Sequence, residues 1–283
     1  MTRLIRSVSA MQALARRFER EKRRIGVVPT MGALHEGHAS LIRAARQGND
    51  IVIVTVFVNP LQFAPQEDYR RYPRTLAKDR RLARAAGADI VFAPAADRLY
   101  PKGFQTTVKA GALGRRWEGA SRSGHFDGVA TVVSILFQLT RPTTAYVGQK
   151  DYQQALIIRR MAQDLRFPVT VKVLPTVREP DGVALSSRNA YLSEAERGQA
   201  AAVPEALAAG RARILSGERH AAPVIETMRR RLAGEPEARV DYVAVTDAAT
   251  LEPVWRLRGR VALLVAVRIG RTRLIDNLLV DVP

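Results

Sequence analysis

Histidine is scarce in this chain of 283 residues, which holds four. Two of them, His35 and His38, fall in the stretch P-T-M-G-A-L-H-E-G-H at 29–38. Residues three apart share a helix face, so on an incipient helix the two imidazoles stand side by side. The stretch follows a short β-branched run, Ile25 to Pro29, and leads into good helix formers, His38 to Gln47, ended by Gly48-Asn49. It therefore lies where a strand gives way to a helix, and backbone N–H groups at a helix N-terminus favour anions. Gly37 removes a side chain where a nucleotide would approach the backbone. Two imidazoles and a helix N-terminus suit a triphosphate. The bland alternative is a capped helix with ordinary surface histidines. Zinc of the H-E-x-x-H kind needs imidazoles four positions apart, and here the spacing is three.

Three further places could do chemistry. The apolar run Ile51 to Val58 leads into N-P-L-Q-F, which puts Gln62 at a strand's C-terminal end, where an amide can hold hydroxyl and carboxylate oxygens. Val147-Gly148 ends another strand and is followed by Q-K-D-Y-Q-Q. A lysine is a compact ammonium suited to phosphate, and Lys150 is one of few in a chain that otherwise chooses arginine; a solvated lysine is the competing reading. The stretch Thr176 to Asn189 offers hydroxyls and guanidinium on a loop, the donors that grip phosphate, or else a polar turn between domains.

The elements that must carry these residues alternate. Helical patterns at Thr75 to Ala86, Val129 to Leu139 and Gln153 to Leu165 interleave with strand-like runs at Asp89 to Phe92, Ala145 to Gly148 and Val169 to Leu174. Such alternation predicts an α/β fold with a doubly wound parallel sheet, binding ligands beyond the C-terminal ends of its strands. After about Arg188 the texture changes to Ala-rich helices, Glu194 to Leu215 and Ala221 to Leu232, and then strands near Val240 to Thr246, Val261 to Val267 and Thr272 to Asn277. This predicts a smaller C-terminal α+β domain. The first eighteen residues carry Arg3, Arg6, Arg16 and Arg17 and no acid, as some transit peptides do. The preferred reading is an amphipathic helix with Val8, Met11, Leu14, Ala15 and Phe18 inward.

Composition limits the classes. Hydrophobic residues are 47% and charged ones 25%, ordinary for a globular chain. No apolar run reaches the roughly 20 residues of a membrane span. The absence of cysteine removes thiolate nucleophiles and disulfides. The net charge of +18 raises nucleic acid as a partner. The cations are spread out, however, and no aromatic residues interleave with the dense runs for base stacking.

The ordered set of motifs resembles the pantoate–β-alanine ligase family, within the cytidylyltransferase-like superfamily of Rossmann-type enzymes. It comprises P-T-M-G-A-L-H-E-G-H at 29–38, F-V-N-P-L-Q-F at 57–63, Y-P-R-T at 72–75, H-F-D-G-V-A-T-V-V at 125–133, G-Q-K-D-Y-Q-Q at 148–154, P-T-V-R-E at 175–179 and S-S-R-N at 186–189. The resemblance covers essentially the whole chain. It implies a Rossmann-like domain over 1–187 that binds ATP and pantoate, and a small C-terminal α+β lid domain over 188–283. It implies ATP contacts from Met31, His35, His38, Gly148, Lys150, Asp151, Val177, Leu185, Ser186, Ser187 and Arg188, with His38, His35, Lys150 and Arg188 serving catalysis. Gln62 and Gln154 would hold pantoate; the part of His125 is left open. It further implies condensation of pantoate with β-alanine through an acyl adenylate, in a cytoplasmic homodimer without nucleic acid or membrane partners. Rival readings are a nucleotidyltransferase that stops at adenylyl transfer and a nucleic-acid-binding protein. The chain departs from the family's pattern at Gln149, where Glu is frequent, and at Leu185, where Met is frequent. Near Lys78-Asp79 the family often has paired acids; here only Asp79 is acidic, which leaves no protein metal site to expect and magnesium arriving on ATP.

Overall fold

Parallel strands covered on both faces should be apolar at every position, and the core strands here are. In the computed structural model, which describes residues 2–63 and 69–283, the chain divides into two units. One comprises residues 1–148 with 153–175, the other 149–152 with 176–283. The elements of the first are β1 (Arg3–Ile5), α1 (Val8–Arg20), β2 (Ile25–Thr30), α2 (Glu36–Gly48), β3 (Ile51–Val56), α3 (Leu76–Ala85), β4 (Ile90–Phe92), α4 (Ala96–Leu99), α5 (Glu118–Ser121), α6 (His125–Thr140), β5 (Thr144–Gly148), α7 (Tyr152–Asp164) and β6 (Thr170–Leu174).

Among the described residues its six strands form one sheet in the order β1-β4-β3-β2-β5-β6, all neighbours parallel. Alternate residues point to opposite faces. Val27, Ile53 and Phe92 enter a core shared with α1, α6 and α7; Val28, Val54 and Val91 enter one shared with α2 and α3. The sheet is thus doubly wound. The chain leaves β2 toward β3 and leaves β5 toward β6 in the opposite direction, so the switch point falls between the paired strands β2 and β5. Ligands in this architecture bind at such a point, outside the carboxyl ends of the strands.

The second unit holds α8 (Glu194–Ala200), α9 (Ala202–Leu215), α10 (Ala221–Ala233) and strands β7 (Ala238–Asp247), β8 (Arg260–Ile269) and β9 (Thr272–Asp281). The strands pair antiparallel in chain order, and α9 and α10 share a core with Leu263, Val265 and Val267.

The structure differs from the sequence expectation in several places, among them the short helices α4 and α5, which were not foreseen, and the start of α2 at Glu36. Strand β1 was not foreseen: with three residues it has no readable alternation, and only pairing with the distant β4 makes it a strand. The helix expected over Glu194 to Leu215 breaks at Ala201, because Pro204 has no N–H for the Ala200 carbonyl. The strand expected over Ile51 to Val58 ends at Val56, after which Asn59 caps a 3-10 turn, Pro60–Gln62.

That turn rests on α6, and the contact demands glycine. A Cβ on Gly128 would meet the Leu61 carbonyl oxygen at 2.3 Å. Replacing a helical glycine by alanine ordinarily gains about 1 kcal/mol of helix propensity, but overpacking costs about 1–3 kcal/mol, so Gly128→Ala should lower stability. Gly198 in α8 meets nothing within 4 Å, and Gly198→Ala should stabilise by roughly 0.5–1 kcal/mol. Denaturant unfolding of the two variants should show shifts of opposite sign; equal shifts would contradict the packing account.

Candidate active site

Five residues join β2 to α2, and two of them, Gly32 (φ 90°) and Ala33 (φ 51°), are left-handed. For alanine that conformation costs roughly 1–2 kcal/mol, so the turn needs restraint. Its amides supply it. The Gly32 N–H donates to Thr30 Oγ1 at 3.2 Å, and the Ala33 and Leu34 N–H groups donate to the two carboxylate oxygens of Asp79 at 3.3 and 2.9 Å. Hydrogen bonds to a charged group contribute about 1.5–3 kcal/mol, enough to offset the backbone cost. The Gly37 N–H donates to Nδ1 of His35 at 3.2 Å and the His35 N–H donates to Nδ1 of His38 at 3.3 Å, a reciprocal capping box.

A backbone amide only donates, so both Nδ1 atoms must present lone pairs. Each neutral ring therefore carries its proton on Nε2. The rings lie 4.2 Å apart between centroids and are half-buried. The two histidines therefore form the cap of α2. The amides of Gly32 to His35 and of Gly37 already donate to protein acceptors.

Gln62 is 7% exposed. Its Oε1 accepts from Asn59 Nδ2 at 3.1 Å, and its Nε2 donates to Met31 Sδ at 3.0 Å. Asn59 Nδ2 also donates to the Gly128 carbonyl, and Tyr100 Oη donates to Asn59 Oδ1 at 2.7 Å. Burial pushes the Tyr100 hydroxyl well above its usual range, which keeps it a donor. This relay fixes the Gln62 amide with its NH₂ toward Met31. His125 takes a place beside it: Arg122 Nη1 and His125 Nε2 are 3.1 Å apart, and His125 Nδ1 lies 2.7 Å from the Gln62 carbonyl oxygen. Because arginine donates, Nε2 accepts and the ring proton sits on Nδ1, the opposite tautomer from the capping pair.

At the end of β5 the two adjacent glutamines differ. Gln153 is buried, with Nε2 donating to the Leu113 and Arg116 carbonyls and Oε1 accepting from the Glu118 N–H. Gln154, in the first turn of α7, is half-exposed. Met31 and Gln62 are brought into contact; Gly148 ends β5, the strand next to β2, and Gln154 follows it in α7.

The remaining expected residues belong to the second unit. Asn277, 3% exposed, donates to the carbonyls of Gln149 and Lys150, and Gln149 Nε2 donates to Asn277 Oδ1. The departure to Gln149 thus gives an amide that matches an amide. Lys150 Nζ stands 3.4 Å from Asp151 Oδ1. Val177 and Leu185 are joined by a backbone hydrogen bond across a turn through Gly182. Ser186 caps the short 3-10 turn Ser187–Tyr191 by accepting from the Arg188 N–H. The Arg178 guanidinium is held two-pronged by Asp276 at 2.6 and 3.1 Å, which makes it a brace of the loop. Asn59, Tyr100, Asn277 and Asp276 were not singled out in the sequence; Asn59-Pro60 after a strand was the one local signal, as an Asn capping position.

A cavity of 940 Å³ opens at the carboxyl ends of β1 to β4, and of the expected site residues Met31 alone lines it. Among the described residues no group of three His, Asp or Glu side chains is arranged to hold a metal. Asp79, the one acid at the place where the resemblance suggested a pair, borders the cavity and accepts from two amides and from Thr75 Oγ1.

A doubly wound sheet with an imidazole pair capping the helix beside its switch point defines a Rossmann-like nucleotide-handling class. Comparison with known proteins narrows it. The family model described as pantoate-beta-alanine ligase matches residues 3–279. The chain is 52% identical over 279 residues to a pantothenate synthetase of Moorella thermoacetica, covering 99% of each. The solved pantothenate synthetase of Thermus thermophilus superposes with a TM-score of 0.93 at 47% identity, covering 98% of this chain and 99% of that one. A Francisella tularensis pantoate-beta-alanine ligase, solved in complex with beta-gamma ATP and beta-alanine, gives 0.79 at 33%, covering 99% and 98%. The chain belongs to the pantoate–β-alanine ligase family.

The 176–189 loop has a pH-dependent brace. The Arg197 guanidinium beside Glu179 holds its carboxyl below the usual carboxylate range, helped by Asn189, and does the same for Asp181. A depressed folded-state pKa stabilises fully above the unfolded value, about 4.3 for Glu, and its contribution disappears as pH falls through the lowered one. The stability gap between the parent chain and Glu179→Gln should therefore be constant from pH 7 to about 5 and shrink below. Thermal unfolding across pH 7 to 3 checks this; a gap that stays the same at pH 3 refutes it.

Proposed function

We propose that the chain condenses pantoate with β-alanine to give pantothenate, using ATP through a pantoyl adenylate. The observation that carries the reading is the family match over 3–279; the imidazole pair at the switch point supplies its chemistry. In the first step a pantoate carboxylate oxygen bonds to the α-phosphorus as the α–β bridging P–O bond breaks, and pyrophosphate leaves. In the second, the β-alanine amine attacks the acyl carbon, loses a proton and expels AMP. No side-chain nucleophile is needed. The work is to align two anions and to offset charge on the phosphates, which is positioning and electrostatics.

In this reading Met31, His35 and His38 contact ATP, with the Nε2–H edges donating to phosphate oxygens. The Gln62 NH₂ donates to a pantoate oxygen in place of Met31 Sδ, and Gln154 holds the same substrate. Gly148, Lys150, Asp151, Val177, Leu185, Ser186, Ser187 and Arg188 serve the nucleotide, Lys150 and Arg188 as phosphate donors. Magnesium is part of the substrate, carried on ATP with most of its waters. The reading includes a cytoplasmic homodimer. No helix of the described residues is long and apolar enough to cross a membrane.

The test follows pyrophosphate and AMP while the acid and amine are added separately. Pantoate with ATP should release pyrophosphate, and AMP with pantothenate should appear once β-alanine is present; an adenylylated product that accumulates despite the amine would sink the proposal. His38→Ala and Lys150→Ala should each lower turnover by roughly 10²-fold or more, and steady-state rates near the parent's in both would remove them from the reaction. Gln62→Ala should raise the KM for pantoate far more than that for ATP, whereas equal rises would argue against its place on the hydroxy acid.

A further inference from the structure

Asp79 lies on α3, between β3 and β4, and is 1% exposed. Its hydrogen-bond acceptors meet neutral donors: Oδ2 accepts from the Ala33 N–H, and Oδ1 accepts from the Leu34 N–H and from Thr75 Oγ1 at 3.0 Å. Thr75 sits at the N-cap of α3 yet its side chain caps no backbone N–H of the helix; its hydroxyl donates to the Asp79 carboxylate one turn on instead. A Cβ on Gly32 would stand 3.1 Å from Asp79 Oδ2 and 3.0 Å from Val56 Cγ1, so glycine at 32 serves the close approach as well as the positive φ. The turn is thus pinned from α3 immediately before the residue, His35, that begins the capping box.

We propose that Asp79 is a positioning residue for the nucleotide. Its carboxylate holds the left-handed β2–α2 turn and, through that turn, the Nε2 edges of His35 and His38; it is not a ligand of the ATP-borne magnesium. The inference rests on the reading of those histidines as nucleotide contacts. A magnesium ligand must turn a carboxylate lone pair to an ion about 2.1 Å away in near-octahedral geometry. Here, although Asp79 borders the cavity, Oδ2 already accepts from the Ala33 N–H and Oδ1 from the Leu34 N–H and the Thr75 hydroxyl. Loss of the clamp lets the turn relax, and a displacement near 1 Å can cost roughly 10²-fold in rate.

The experiment compares Asp79→Asn and Thr75→Val with the parent in three readouts. Asp79→Asn replaces an acceptor by an NH₂ that faces an N–H. Hydrogen exchange over residues 31–39 should then rise about tenfold or more, since opening of the turn is no longer opposed. The kcat/KM for ATP should fall roughly 10–100-fold, with the pantoate KM much less affected and the magnesium concentration for half-maximal rate unchanged. Thr75→Val, which keeps the carboxylate and removes one donor, should move the same readouts in the same direction by less, and decides the matter if Asp79→Asn does not fold. A raised magnesium requirement with unchanged exchange would overturn the proposal, as would equal losses toward both substrates. Exchange judges the clamp even if the parent forms no pantothenate, which would count against the ligase reading instead.

Discussion

A turn that enters a helix leaves backbone N–H groups without helical partners, and how this chain satisfies them between Gly32 and Gly37 governs the site. Asp79 takes two, and the imidazoles of His38 and His35 take two more. The solution has a chemical consequence. An imidazole that accepts at Nδ1 is committed to an Nε2–H, so the need to cap a helix sets the protonation pattern of the two rings.

The same logic recurs beyond β3. Gln62 could present either end of its amide to a ligand, and Asn59 decides which, because its Nδ2 donates to Gln62 Oε1 while Tyr100 and the Leu61 N–H occupy Asn59 Oδ1. Donors and acceptors alternate along this buried chain, so reversing one amide would set like against like. In the second unit Asn277 does comparable work for Gln149 and Lys150 by reading their carbonyls. Orientation of polar side chains is thereby built from neutral amides, which carry no desolvated charge.

The sheet and the residues beside its switch point were legible in the sequence because they rest on local signals. These are β-branched runs such as Ile51 to Val58, the helix formers of His38 to Gln47, and the short spacing of the two histidines. The clamps were not legible, because they act across the chain: Asn277 meets Gln149 at a separation of 128 residues and Asp79 meets Leu34 at 45. Strand β1 belongs with them, being three residues defined by a distant partner. Pro204 marks the opposite case, a local stop signal overridden in the sequence reading by a long run of alanines. The resemblance left no protein metal site to expect near Lys78-Asp79, and nothing local in the sequence signalled that Asp79 would accept from the amides of Ala33 and Leu34.

The account turns on which ring nitrogen of each capping histidine holds the proton. Nitrogen-15 NMR of the histidine-labelled chain at neutral pH measures it directly, with His35 and His38 assigned by single substitution. Both rings should show a protonated Nε2 and a bare, accepting Nδ1. A proton on Nδ1 of either ring would mean that the backbone amides are not its partners, and the capping account of the site would be wrong.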